Sequence, residues 1–383
     1  MPKYIKADQF FYPHGVRRGG FLELVDGKFG KHVDQVSEDA EIIDYTGYSI
    51  APGLVDTHIH GFGGVDVMDN NIEGTLHTMS EGLLSTGVTS FLPTTLTSSY
   101  EQLLAVTENI GERYKEATGA KIRGIYFEGP YFTEKYKGAQ NPAYMKDPRM
   151  DEFRAWQKAA NGLLNKIALA PEREGVEDFV RTITGEGVTV ALGHSNATFD
   201  EAKKAVDAGA SVWVHAYNGM RGLTHRELGM VGAMYELPHT YAELICDGHH
   251  VDPKACDILL KQKGTENIAL ITDCMTAGGL QDGDYMLGEF PVVVENGTAR
   301  LKSTGNLAGS ILKLKDGLKN VVEWGIANQH EAVMMASLNP AKSVHIDDVC
   351  GQIREGYDAD FIVLDKDLEL VATYLDGEKR YQA

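Results

Sequence analysis

The chain has 383 residues, with 36 Lys and Arg against 55 Asp and Glu, a net charge of −19 with histidine neutral. Such acidity offers no basic footprint for nucleic acid or an anionic membrane, and a composition that is 43% hydrophobic and 24% charged excludes disordered, collagenous and coiled-coil classes. The length suffices for two or three ordinary domains, or for one large barrel with a small domain attached.

Residues 1–50 read as short strands broken by turns, as in GFLELVDGKFGKHV and AEIIDYTGYSIAPG, where apolar positions alternate and Gly punctuates. The opening MPKYIKADQFFYPHG lacks the apolar stretch of an export signal. From residue 51 the pattern changes. Apolar, β-branched runs alternate with helical segments that end in Gly. The predicted strands are 54–60 (LVDTHIH), 88–94 (VTSFLPT), 122–128 (IRGIYFE), 166–172 (KIALAPE), 188–194 (VTVALGH), 211–216 (SVWVHA), 242–248 (AELICDG) and 267–273 (NIALITD). Between them, Leu76, Met79, Leu83 and Leu84 share a helical stripe that Gly87 stops, and Ala202, Ala205 and Val206 repeat the device before Gly209. Eight such units point to a (β/α)8 TIM-type barrel over residues 51–344, though an open doubly wound sheet has the same alternation. After the eighth strand, Asn296-Gly297 in FPVVVENGTARLKST signals a hairpin. The stretch from Gly351 returns to the pattern of the first fifty residues, so 1–50 and 345–383 together predict a small β-sandwich domain built from both chain ends.

No apolar run approaches the roughly 20 residues of a membrane span, and no membrane partner is expected. Cys246, Cys256, Cys274 and Cys350 form no CxxC pair, and a reducing cytoplasm is the expected compartment. Small, buried, unreactive thiols explain Cys246 and Cys274, and Met220 and Met275 read as gap fillers.

In a barrel the C-terminal strand ends converge on one mouth. The residues at those ends are His58 and His60, Glu128, His194, His215, the pair His249 and His250, and Asp273. Each alone has a structural explanation; the set of imidazoles and carboxylates does not. His58 and His60, at i and i+2, face one side of a strand and can share a cation. Imidazole and carboxylate suit zinc, iron, manganese or a related divalent ion, and such an ion with an open position makes a nucleophile of water. Asp273 is then either the base that moves the proton, or a helix cap or carboxylate that orients a ligand histidine.

The motifs PGLVDTHIHGFGG, EGPYF, KGAQNP, GHSNAT, HAYNGM, DGHHVD and TDCMTAGG, taken together, resemble the amidohydrolase superfamily and, within it, the family of N-acetylglucosamine-6-phosphate deacetylases. The resemblance spans nearly the whole chain. It implies removal of acetate from N-acetyl-D-glucosamine 6-phosphate, a step of amino-sugar catabolism and cell-wall sugar recycling. It implies metal ligands at Glu128, His194 and His215, with Asp273 as catalytic acid/base and one or two divalent metals per chain, zinc or iron foremost. His58 and His60 make a second metal site available, since some members carry Gln and Asn there. Substrate contacts carry over to Ala139, Gln140, Asn218, Gly219, Arg226, His250, Leu307, Ala308 and Gly309. Gln140 stands where certain members have a histidine, and it can donate a hydrogen bond but cannot titrate. Arg226 offers a bidentate fork to phosphate, or alternatively a surface salt bridge to Glu227. His249 is expected to be structural, and Tyr131 and Phe132 either line the pocket or fill the core. A homodimer is implied by the resemblance alone.

Three rivals differ from this reading. An N-acetylgalactosamine-6-phosphate deacetylase would use the same residues on the epimer. A cyclic-amide hydrolase would commonly bridge two metals with a carboxylated lysine, where this chain has Glu128. A metal-free interaction protein on the same scaffold would have lost ligands, and none is missing.

Overall fold

The structure is a computed structural model describing residues 3–69 and 74–383. Its central strands are β1 (Leu54–Ile59), β2 (Val88–Thr95), β3 (Ile125–Tyr131), β4 (Leu164–Leu169), β5 (Thr189–Leu192), β6 (Val212–Trp213), β7 (Tyr241–Ile245) and β8 (Ile268–Ile271). Each runs parallel to the next. The ring closes between β8 and β1, where Ile59 and Cys274 form a parallel bridge and the Asp273 N–H donates to the His58 carbonyl at 2.9 Å. That seam decides for a barrel over an open sheet.

The strands are buried because both faces are covered. Ile167, Leu169, Val190, Leu192 and Trp213 pack outward in the main core, while Val55, Leu92, Tyr126, Ala168, Ala191 and Val212 belong to a separate core cluster. The covering helices have the expected signals. Helix Phe199–Asp207 opens on a capping box between Thr198 and Glu201, buries Ala202 and Ala205, and is followed by Gly209.

Both chain ends meet in one eight-stranded sheet. Strand Lys3–Tyr12 lies parallel to Glu41–Pro52, which pairs with Phe361–Leu364 from the far end of the sequence. The sheet surrounds its own core of Ile5, Phe10, Leu22, Phe29, Phe361 and Tyr374. Strand Lys28–Val33, at one edge of the sheet, meets the turn before Phe361–Leu364 where the Phe29 N–H donates to the Tyr357 carbonyl at 2.9 Å. The Asn296-Gly297 signal is a hairpin joining Phe290–Glu295 to Thr298–Leu301, with φ of 51° and 77° at the two turn residues.

Several strand boundaries differ from the sequence expectation. The predicted strand 122–128 is broken: Lys121–Ile122 pairs with β2 as a separate short strand, and β3 begins at Ile125. Strands β5, β6 and β8 stop at Leu192, Trp213 and Ile271, short of His194, His215 and Asp273. Those three residues have φ of 44°, 26° and 51°, and a left-handed residue cannot continue a pleated strand. Among the described residues, no helix is long and apolar enough to cross a membrane.

Candidate metal centre

The strand ends bring six side chains to one buried point. His194 Nε2 and His215 Nε2 lie 3.2 and 3.1 Å from Glu128 Oε1, and 3.0 Å from each other. His60 Nε2 is 3.2 Å from Glu128 Oε2 and 3.1 Å from Asp273 Oδ1. His58 Nε2 is 3.4 Å from Glu128 Oε1 and 3.5 Å from Asp273 Oδ1. Two groups result, Glu128 with His194 and His215, and Asp273 with His58 and His60, the ligand atoms of each lying within 4.8 Å of one another.

The opposite ring nitrogens fix what these atoms can be. His60 Nδ1 reaches the Thr94 carbonyl at 3.1 Å, His194 Nδ1 the Tyr136 carbonyl at 2.9 Å, and His215 Nδ1 the Asn218 carbonyl at 3.1 Å. His58 Nδ1 reaches Glu243 Oε2 at 3.1 Å. Carbonyls and carboxylates only accept, so Nδ1 carries the proton in each ring and a neutral ring turns its Nε2 lone pair to the centre. Two lone pairs 3.0 Å apart repel unless a cation or a proton lies between them, and His58 Nε2 is a buried nitrogen with no hydrogen-bond partner among the described residues. The donor set therefore fits divalent metal ions. The charges agree with this. Burial would lower the basicity of His58, but Asp273, Glu128 and Glu243 outweigh it and lift the ring to about 9. For His60 burial is outweighed in the same way by Asp273 and Glu128. The carboxyls of Glu128 and Asp273 are held low, since His58 and its neighbours overcome the upward push of burial. A bound cation would replace the protons that these carboxylates otherwise attract.

Two glycines let the surrounding backbone close on His194. A Cβ at Gly219, where φ is +61°, would lie 3.0 Å from His194 Nδ1, and one at Gly138, where φ is +56°, would lie 3.1 Å from His194 Cε1. Beside these side chains is a cavity of about 140 Å³ lined by His60, Glu128, His194, His215 and Asp273 together with Ala139, Gln140, Asn218, Gly219, His250, Leu307 and Gly309. Leu96, Gly138 and Leu287 also line it, and nothing in their spacing singled them out. A larger adjoining cavity of about 610 Å³ shares Leu96, Ala139 and Leu287 but is lined by no histidine.

Other expected residues lie differently. Ala308 is buried behind the lining. Arg226 is exposed in the loop after β6 and does not line the cavity; Glu227, its alternative partner, pairs with Arg221 at 3.5 Å. His250 Nδ1 is held by Asp247 Oδ2 at 2.7 Å, whereas His249 is exposed. Gln140 donates from Nε2 to Glu128 Oε2 at 2.6 Å and accepts from the Thr97 N–H at 2.8 Å, so its amide braces the carboxylate. Tyr131 and Phe132 are core residues, and Phe132 packs on the His194 ring with 4.6 Å between centroids. All four cysteines are free and buried, and burial pushes the Cys246, Cys274 and Cys350 thiols up.

Sequence reasoning missed Asp56, Lys166 and Glu243, all fully enclosed around the centre. Asp56 Oδ2 accepts from Thr272 Oγ1 at 2.6 Å across the seam from β1 to β8, and burial raises its carboxyl to about 6. A charged residue inside an otherwise apolar strand, as in LVDTH, KIALA and AELIC, was the available signal.

Known proteins place this arrangement. The sequence pattern of the amidohydrolase family matches residues 49–380. An N-acetylglucosamine-6-phosphate deacetylase of Vibrio furnissii is 39% identical over 345 residues, 90% of this chain and 86% of the relative. An N-acetylgalactosamine-6-phosphate deacetylase of Escherichia coli O157:H7 is 39% identical over 383 residues, 99% of each chain. The solved N-acetyl-D-glucosamine-6-phosphate deacetylase of Mycobacterium smegmatis, in complex with N-acetyl-D-glucosamine-6-phosphate, superposes with a TM-score of 0.94 at 29% identity over 100% of both chains. That of Thermotoga maritima gives 0.88 at 32% identity over 98% of both. With the family pattern covering most of its length and its ligand groups gathered at the barrel mouth, the chain belongs to the metal-dependent amidohydrolase family, in the group of the N-acetylglucosamine-6-phosphate deacetylases.

Proposed function

We propose that the protein hydrolyses N-acetyl-D-glucosamine 6-phosphate to D-glucosamine 6-phosphate and acetate. The observation that carries the reading is the convergence of Glu128, His194 and His215 with His58, His60 and Asp273 on one buried point. Glu128, His194 and His215 would hold one divalent cation, zinc or iron; His58 and His60, with Asp273 and the far oxygen of Glu128, would hold a second. When bound, such a cation polarises the amide carbonyl and acidifies water.

The side chains supply the rest. Asp273, kept ionised beside His58 and His60, accepts the proton of the attacking water and returns it to the departing amine nitrogen. Gln140 braces Glu128 through its amide. Asn218, Gly219 and His250 line the cavity and suit the phosphate; Arg226, exposed in the loop beyond and outside the lining, would add a guanidinium once substrate is bound. Ala139, Leu307 and Gly309 close on the sugar and acetyl group, and Ala308 packs behind them. We assign residues 51–344 to the barrel domain and 1–50 with 345–383 to the small one. The exposed Leu223 and Leu228 flank Arg226, and a homodimer would cover them. Free, buried cysteines fit a reducing cytoplasm.

Acetate release from N-acetylglucosamine 6-phosphate, measured with metal content per chain, tests the reading. Turnover is expected to vanish with a chelator and return with added zinc or iron. Metal-loaded protein that releases no acetate overturns it. The 39% identity to the E. coli O157:H7 relative favours N-acetylgalactosamine 6-phosphate as the second candidate, and the ratio of kcat/KM on the two epimers decides.

A further inference from the structure

Below the ligands, inside the barrel, one carboxylate touches both groups. Glu243 Oε2, from β7, accepts from His58 Nδ1 at 3.1 Å and from the backbone N–H of His215 at 3.3 Å. Its other oxygen takes the ammonium of Lys166 from β4. Lys166 Nζ also lies 3.8 Å from the Tyr126 ring centroid and 3.4 Å from the Thr57 carbonyl. The side chains of His58, Lys166 and Glu243 are 0% exposed. A lysine so engaged is not free to bridge two cations.

An ion pair at this depth is costly to bury and by itself is weak evidence of stability. What it does for His58 is specific. His60, His194 and His215 rest their Nδ1 atoms on backbone carbonyls that the fold holds in place. His58 alone rests on a side chain, and that side chain is held by Lys166. The acceptor determines that Nδ1 carries the proton, and the Nε2 left over is the nitrogen that finds no hydrogen-bond partner.

We propose that Glu243, held by Lys166, is a positioning residue that keeps His58 Nε2 directed into the His58, His60 and Asp273 group and thereby sets the affinity of a second cation there. The inference rests on the metal reading of the proposed function. It separates the two groups energetically: the carboxylate orients a ligand ring in one, but only a backbone N–H in the other.

The test is zinc titration of the metal-free full chain, with folding followed by circular dichroism, on two double variants that leave no buried charge unpaired. Lys166→Met with Glu243→Leu removes the acceptor under His58. Lys166→Met with Glu243→Gln restores an acceptor oxygen without the charge. The parent is expected to take two zinc ions per chain. The leucine variant should weaken the second by about 10- to 100-fold while leaving the first within about twofold, and the glutamine variant should recover most of that loss. Equal second-site affinity in both variants and the parent overturns the proposal, as do parallel losses at both sites or failure of both variants to fold. A parent that binds no zinc fails the metal reading; a parent that binds one fails this inference alone.

Discussion

Asp273 combines three properties that rarely coincide in one residue. It is buried, its φ is +51°, and its carboxyl is held below the usual range by two histidines although burial pushes the other way. A backbone in that region costs energy and persists where the surrounding structure enforces it, here through hydrogen bonds from the Asp273 N–H to the His58 carbonyl and from the Ser310 N–H to the Asp273 carbonyl. In the proposed reaction Asp273 is the base, and Asp273→Asn would keep the shape and remove it. Turnover should fall about a hundred- to ten-thousand-fold, with folding and zinc content in the first group unchanged. Near-parental kcat would remove Asp273 from proton transfer. Arg226 is the contrary case, exposed and outside the cavity lining. If it binds phosphate, Arg226→Ala should raise KM for the phosphorylated sugar roughly tenfold or more, from the loss of a charged hydrogen bond, and leave unphosphorylated N-acetylglucosamine almost unaffected. Equal losses on the two substrates would assign it another role.

At the scale of elements, the turns after β5, β6 and β8 do what the strands cannot: they carry His194, His215 and Asp273 out of the pleat and into the mouth. The residues themselves were legible, because each follows an apolar run that reads as a strand. The left-handed turns were not, since φ leaves no mark on a histidine or an aspartate. Glu243 and Lys166 escaped for another reason. Periodicity identifies which face of a strand is buried, but not which buried charge meets which, and their partners lie far off in the sequence. The Gly219 turn tests the packing. Gly219→Ala should cost about 1–2 kcal/mol from left-handed backbone alone. Its Cβ would also sit 3.3 Å from the Tyr136 carbonyl that holds His194. Lower Tm together with weaker zinc retention in the Glu128 group is expected; a change in Tm without any loss of metal would show that the His194 ring does not depend on this contact.

Across the whole molecule, the barrel and the terminal sheet are fastened by charge. Lys121, on the short strand beside β2, reaches Asp358 and Asp360 at 2.9 Å and Asp376 at 2.7 Å, all from the C-terminal stretch, and Arg123 adds a 3.3 Å contact to Asp358. The pattern of the two chain ends predicts a shared small β-sandwich domain, which the structure builds as one sheet, but it carries no hint of this lock, which depends on the break before β3 that brings Lys121 and Arg123 to the seam. The carboxylates respond in opposite directions. Burial raises Asp360 despite Lys121, while at Asp358 the hydrogen bond and charge of Lys121, helped by Lys28 and Arg123, overcome burial and depress the carboxyl. A depressed carboxyl stabilises the fold above its unfolded value, about 3.9, and that contribution is lost as pH falls through the lower folded value. Lys121→Met removes the cation that three carboxylates share at the seam and leaves only Arg123 and Lys28 to offset them. It should cost about 2 kcal/mol at pH 7, read as a lower Tm than the parent. The gap in Tm should narrow as pH falls below about 4, because Asp358 is then protonated in the unfolded chain and the parent loses what the variant already lacks. A gap that stays constant from pH 7 to pH 3 would mean that Lys121 acts through its aliphatic stem rather than its charge.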